Sequence, residues 1–422
     1  MDTSRFGAFF ASSSGILQLM EDAGAALAGE RDVCMLGGGN PARIPAVQSA
    51  FRGAMNGLLA DGKRFDLLIG DYDGPQGNAA FIEAIAGLLN QQFGWPVTPH
   101  NVALTNGSQS SFFVLFNMFA GLFDDGSRRR ILLPLVPEYI GYTEMGLGME
   151  MFDTCRPIIS LRGDYEFKYH IDFEKLAVGP GHGAICVSRP TNPTGNVLTD
   201  IEIGQLHKLA EDHDLPFIID GAYGTPFPNI IFSEATPIWD PSVILCLSLS
   251  KLGLAGVRTG IVIANESIIK SITGSNAILS LTPGSFGPGL VTEMVREGTI
   301  LDIANDLIKP YYQKRARITM GWLKSALAGY PFRIHTPEGA FFLWLWFENL
   351  PISSEELYQR LKQRDVLVIA GEHFFPGLAE DWPHSRECIR VSYALDPEIV
   401  QRGITIIAEE IKAVYELAAR PV

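Results

Sequence analysis

An α/β fold built on a largely parallel sheet is predicted for this 422-residue chain by three observations. Short runs of β-branched and aromatic residues are apolar on both pleat faces, helical patterns separate those runs, and the rhythm changes after about residue 300. Strands apolar on both faces belong to sheets covered by helices on each side. The runs in order are VALT at 102–105, ILLPL at 131–135, AICVS at 184–188, FIID at 217–220, VILCLSLS at 243–250 and GIVIA at 260–264. Between them, Ser108 to Gly121 and Thr199 to His213 carry the helical period. One antiparallel strand is allowed for in the sheet. Beyond residue 300 come a long helical pattern, FFLWLWF at 341–347, a helix near 354–364, VLVIA at 366–370, CIRVSYA at 388–394 and a final amphipathic helix. These predict a second, α+β unit. The length suits two packed units, and the 47% hydrophobic content supplies their cores.

Charge and cysteine usage narrow the partners. Forty-seven acidic residues against 33 basic ones leave a net charge of -14, which repels phosphate backbones and anionic membrane surfaces. Nucleic acid is therefore not expected. The five cysteines, Cys34, Cys155, Cys186, Cys246 and Cys388, have no CxxC spacing and suit a reducing cytoplasm. The start, MDTSRFGAFFASSSG, lacks a basic segment leading into an apolar run, and the apolar stretch Phe112 to Phe123 is short and holds Asn117. Neither export nor membrane insertion is expected. The eight histidines include no pair at metal-ligand spacing, and GGGN at 37–40 lacks the GxGxxG register. No metal is expected.

Five segments carry candidate chemistry. In SLSKLGLAGVRTG, 248–260, an apolar strand ends in a hydroxyl, a lysine, a glycine-rich turn and an arginine. Desolvation at a strand end lowers a lysine pKa and favours the neutral nucleophile that attacks an aldehyde, which makes Lys251 the candidate. Ser248 and the forked donors of Arg258 suit a phosphate. Taken alone, the segment also reads as a strand end with a solvated lysine. TNGSQSSFF, 105–113, joins a strand to a helix through a glycine and a serine; helix-start amides bind anions, and a plain capped turn is the other reading. In FIIDGAYGTPF, Asp220 closes an apolar strand and needs a cationic partner. A protonated pyridine nitrogen would be one, an arginine another, and a turn cap a third. Tyr223 could then donate to a ring oxygen. SRPTNPTG, 188–195, is a turn in which Asn192 offers an amide. IRVSYA, 389–394, sets Arg390 among apolar neighbours, where either a bidentate carboxylate ligand or an internal acid would satisfy it. Tyr72 and Gly77 in DYDGPQG, and Tyr139 in VPEYIGY, are by composition loop residues.

Taken in order, NGSQ, PEY, NPTG, DGAY, SLSK and IRVSYA resemble the motif series of the fold-type I aminotransferases that use pyridoxal 5′-phosphate (PLP), over about residues 35 to 395. The resemblance implies a mostly parallel, seven-stranded type of sheet in a large PLP-binding domain at 50–300. A small α+β domain with an N-terminal arm would be made by 1–49 and 301–422. By the same resemblance Lys251 carries the cofactor, Asp220 pairs with the ring nitrogen, and Asn192 and Tyr223 donate to the ring oxygen. Tyr139 stacks on the ring. Gly107, Ser108, Gln109, Ser248 and Arg258 surround the phosphate, and Arg390, with Asn192 and Gly39, holds the substrate carboxylate. Tyr72 would reach the neighbouring site of a homodimer. The segment LGLAGV before Arg258 is one residue shorter than the common SKTFGLAGLR form, which bears on where that arginine stands.

EHFFPGL at 372–378, WPH at 382–384 and PEGAFFLWLWF at 337–347, with the shortened lysine segment, resemble the members that exchange an amino group between valine and pyruvate. Ping-pong transamination of small amino acids and 2-oxo acids is the implied activity. Alternatives are another small or aromatic amino donor, a PLP-dependent C–S lyase, and a cofactor-sensing regulator, against which the first 35 residues offer no DNA-binding segment.

Overall fold

The computed structural model describes residues 4–10, 17, 21, 24, 32–147 and 150–419. The expected N-terminal arm thus falls largely outside the described residues.

In chain order the strands are Cys34–Met35 (β1), Val102–Thr105 (β2), Gly121–Leu122 (β3), Arg128–Leu133 (β4), Phe152–Thr154 (β5), Ile158–Arg162 (β6), Glu166–His170 (β7) and His182–Ser188 (β8). Then come Phe217–Asp220 (β9), Val243–Ser248 (β10), Gly260–Ile263 (β11), Phe332–His335 (β12), Phe342–Phe347 (β13), Val366–Leu367 (β14), Ile369–Ala370 (β15) and Cys388–Ser392 (β16).

The large sheet has the order β2-β11-β10-β9-β8-β4-β3, with β5 also paired to β4. Its centre, β4, β8, β9 and β10, is parallel, and β11 runs antiparallel to both β10 and β2. Every residue of β2, β8, β9, β10 and β11 is buried, as their two apolar faces require. The helix Asp200–Asp212 makes the crossover from β8 to β9. It starts on a capping box in which Thr199 and Glu202 bond each other's backbone amides, satisfying two of the donors that a helix start leaves open.

The second sheet has the order β15-β16-β13-β12-β7-β6. Two of its features depart from the sequence reading. The hairpin β6–β7 was not foreseen, because Arg162, Glu166 and Lys168 interrupt any apolar run there; it lies within residues 50–300 yet pairs with β12. The run VLVIA splits, so that β14 pairs with β1 and β15 pairs with β16. Two expected strands also end early. ILLPL stops at Leu133, ahead of Pro134, since proline lacks the donor a ladder needs. VILCLSLS stops at Ser248 and tightens into a 3₁₀ turn at Ser250–Leu252. That turn lifts Lys251 out of the sheet.

Candidate active site

Strand register gathers the chemistry on one sheet edge. Ser188 lies opposite Asp220, Ser248 opposite Gly260, and Gly260 opposite Thr105. The parallel strands end on this edge, where α/β sheets place their ligands, and β2 delivers Gly107 and the helix Ser108–Phe119 to the same place. One cavity there is lined by Ser108, Gln109, Tyr139, Asn192, Asp220 and Tyr223, and by Ser248, Lys251 and Arg258 from the lysine segment.

Lys251 stands in the middle of it. Its Nζ donates to the carbonyl of Gly39 at 2.8 Å and lies 5.4 Å and 5.5 Å from the ring centres of Tyr223 and Phe341. Burial, helped by the positive charges of Arg390 and Arg258, pulls its pKa down to about 8. About a tenth of the amine is therefore neutral and nucleophilic at pH 7, far more than for an unshifted lysine.

Asp220 is buried at the end of β9. The Tyr142 hydroxyl donates to its Oδ2 at 2.6 Å and the Ala222 amide to its Oδ1 at 2.9 Å. Both partners are neutral, and burial raises the carboxyl pKa, so a cation arriving here would be stabilised. Beside it Tyr223 Oη is buried with no hydrogen-bond partner among the described residues. An orphaned buried hydroxyl costs roughly 1–3 kcal/mol until it finds one.

The anion cradle faces these groups. The helix Ser108–Phe119 starts at Gly107 with no side-chain cap, which leaves its positive end free for an anion. Gly107 has φ 89°, and a Cβ there would come within 2.1 Å of Arg258 Nη2; only glycine lets the guanidinium close over the helix start. Arg258 reaches it despite the shortened segment because its own backbone turns left-handed, at φ 48°. Its Nη1 also contacts Ser250 Oγ and the Ala255 carbonyl. Ser248 Oγ, in contrast, accepts from the Ser250 amide.

Arg390 is fully buried on β16. No acid pairs with it among the described residues: Nη1 donates to Asn192 Oδ1 at 2.6 Å, Nη2 to the Gly37 carbonyl at 2.7 Å, and Nε has no partner. The guanidinium lies 4.0 Å from the Phe342 ring centre. Of the two partners the sequence left open, the internal acid is thus not the one present.

Comparison with known proteins decides the family. The family described as aminotransferase class I and II matches residues 68–407. The valine–pyruvate aminotransferase of Escherichia coli strain K12 is 50% identical over 415 residues, 98% of this chain and 99% of its own. The chain belongs to the class I and II aminotransferases.

Solved aminotransferase structures agree. The valine-pyruvate aminotransferase of Salmonella typhimurium LT2 is 49% identical, covers 95% of this chain and 100% of its own, and superposes with a TM-score of 0.88. An aspartate aminotransferase of Thermus thermophilus, at 20% identity and a TM-score of 0.76 over 97% of this chain and all of its own, shares the fold.

Tyr72 stands apart from the other candidates. It is 83% exposed and lines a separate groove of about 500 Å³ with Arg64, Leu67 and Ser285. Several residues at the site of this aminotransferase escaped the sequence reading. Gly37 serves through its carbonyl, and Ser250 through its hydroxyl. Glu138 is buried, and its carboxylate accepts from the Ser188 amide and hydroxyl; burial drives its pKa up to about 7. Tyr142 was passed over because the segment VPEYIGY that ends on it read as a loop; only the fold brings it to Asp220.

Proposed function

We propose that this aminotransferase takes an amino group from valine and delivers it to pyruvate, giving 3-methyl-2-oxobutanoate and alanine by a ping-pong cycle, with PLP as the carrier. The observation that carries the reading is the convergence on one cavity of a lysine amine with a depressed pKa, a buried carboxylate whose direct hydrogen-bond partners are both neutral, and a buried phenol with no hydrogen-bond partner among the described residues. Each fits one feature of that cofactor, and the uncapped helix start beside Arg258 fits its phosphate. The names of the relatives at 49–50% identity support the substrate pair.

In this reading Lys251 holds the cofactor aldehyde, and Asp220 keeps a proton on the ring nitrogen. Asn192 and Tyr223 donate to the ring oxygen, and Tyr139 covers the ring face. Ser108, Gln109, Ser248 and Arg258, with the amides after Gly107, take the phosphate. PLP, when bound, supplies the carbonyl on which the amino group travels and a ring that spreads the electrons left when the α-proton departs. Arg390 clamps the α-carboxylate of valine, with Asn192 and the backbone at Gly39 completing the pocket. Once the incoming amino group has released it, Lys251 Nζ would be free to take the α-proton of valine and, in the second half-reaction, to deliver one to the α-carbon of the nascent alanine. Among the described residues of this chain the cations that line the cavity are Lys251 and Arg258, with Arg390 behind Asn192, and each has a task. None is left for a side-chain carboxylate, which favours an apolar donor.

Two further parts of the reading concern the assembly and its compartment. A homodimer with Tyr72 completing the neighbouring site is supported by an exposed apolar surface: Leu67 and Ile69 on the helix Gly62–Gly70, and Ile278, Leu279 and Leu281. A reducing cytoplasm is supported by five free cysteines, and no helix among the described residues is long and apolar enough to cross a membrane.

The test is to load the purified protein with PLP, add valine alone, then pyruvate, and follow the visible absorbance of the bound cofactor while assaying both products. Bleaching by valine and recovery with pyruvate, with alanine and 3-methyl-2-oxobutanoate formed, is expected. A band indifferent to valine would reject that donor, pyruvate and ammonia without an acceptor would indicate a lyase, and no band at all would reject PLP.

A further inference from the structure

We propose that Tyr142 is a positioning residue of this enzyme, whose phenol holds the Asp220 carboxylate ionised and turned toward the ring nitrogen of the cofactor. The inference rests on the PLP reading above and deepens it.

The geometry is specific. One donor meets each carboxylate oxygen, the Tyr142 hydroxyl at Oδ2 and the Ala222 amide at Oδ1, so the plane of the carboxylate is set from both sides. The backbone amide is fixed by the chain, which leaves the phenol as the donor that sequence can change. Tyr142 is wholly buried, and its ring is wedged among Phe112 at 5.1 Å, Phe116 at 5.0 Å and Tyr139 at 5.4 Å, the last two edge-on. The hydroxyl therefore has one direction to point, and its position needs no rearrangement when the cofactor enters.

The surroundings explain why such a donor is needed. Cys246 lies opposite Asp220 on β10, Cys186 stands two residues before its β8 neighbour Ser188, and Glu138 is bound to that serine. Tyr139 and Tyr223 face it from the cavity, and Lys251 is the cation ahead of it. Burial favours the neutral carboxyl. A neutral carboxyl offers a protonated ring nitrogen no compensating charge. The Tyr142 hydrogen bond opposes that drift in the interval when no cofactor ring is there to do so.

A tyrosine that serves only as core packing predicts different behaviour, and a double-mutant cycle separates the two. Tyr142→Phe keeps the ring and removes the hydroxyl; it is compared with wild type, Asp220→Ala and the double variant, each checked by thermal melting. The readouts are the PLP dissociation constant from titration of the cofactor-free protein across pH, and kcat and KM for valine. Losing a hydrogen bond to a charged group is expected to raise the constant by about ten- to a hundredfold. Acid weakening of PLP binding should also begin at higher pH, because the carboxyl protonates more readily without its donor. kcat should fall while KM for valine stays within about twofold, since the substrate clamp is untouched. In the Asp220→Ala background the second change should cost nothing further. A dissociation constant for Tyr142→Phe equal to that of wild type, or an equal loss in both backgrounds, overturns the proposal while leaving the cofactor reading intact. Wild-type protein that takes up no PLP overturns the cofactor reading and this one with it.

Discussion

Lys251 owes its reactivity to position, and its chemistry should therefore follow pH in a definite direction. Its amine is neutral above about pH 8, so capture of PLP by the cofactor-free protein is expected to speed up about tenfold between pH 7 and 9, measured by stopped-flow absorbance. The same depressed pKa bears on stability. In the unfolded chain the lysine keeps its proton up to about pH 10.4, so between about pH 8 and that value the unfolded state binds more protons. This group then adds stability as pH rises through the window. Lys251→Ala should lose more than about a thousandfold in turnover and show no visible cofactor band. At the proposed substrate clamp, Arg390→Lys removes the forked donor that Asn192 and Gly37 orient. It is expected to raise KM for both valine and pyruvate about tenfold or more, with thermal stability reported alongside because the side chain is buried.

The starts of two helices should respond to substitution in different ways. Gly107→Ala adds a methyl at a left-handed position and against Arg258. Its expected effect is weaker PLP retention on dialysis with some loss of melting temperature, since Gly107 sits at φ 89°, ψ 154°, a region nearly confined to glycine where strain costs about 1–3 kcal/mol. Thr199→Ala removes the capping box on the helix between β8 and β9 and should cost about 1 kcal/mol of stability while leaving turnover unchanged. What separates these helices is what stands at the start, a bare turn in one and a satisfied cap in the other. That difference was partly legible in TNGSQ, because glycine before a serine marks an open anion site as well as a turn. Runs apolar on both faces were legible as central strands for the same local reason: the pattern needs no knowledge of partners. The hairpin β6–β7 was not, since its residues are held by pairing with β12 rather than by an apolar run of their own. The division of VLVIA between two sheets also depends on partners far away in sequence.

Assembly is where the single chain leaves its site incomplete in the proposed reading. If Tyr72 serves the neighbouring subunit, Tyr72→Ala and Lys251→Ala proteins should each be poorly active. Unfolding and refolding them together at equal amounts should restore about a quarter of wild-type activity, because half the dimers are mixed and each mixed dimer holds one intact site. No recovery on mixing would place Tyr72 outside the site. The candidate site as a whole was legible as a set of strand-end residues in chain order: Lys251, Asp220, Tyr223, Asn192 and Arg258 reach one cavity. Glu138 and Tyr142 were not, because a buried acid and its neighbouring phenol carry no periodicity and gain their meaning from Asp220, some eighty residues later in the chain and adjacent only in space.

The pairing of β1 with β14 sets an order of events during synthesis. Cys34 meets Val366, so the strand that positions Gly37 and Gly39 waits for almost the whole chain to be made, a contact between remote segments that closes late. The parallel sheet and the cavity proposed to take PLP are spelled by residues 102–263 and can form while translation continues. On a ribosome arrested after residue 330, protease protection of the central strands is expected, with Gly37 to Asn40 still cleavable. A nascent enzyme would then meet its cofactor before it could recognise an amino acid.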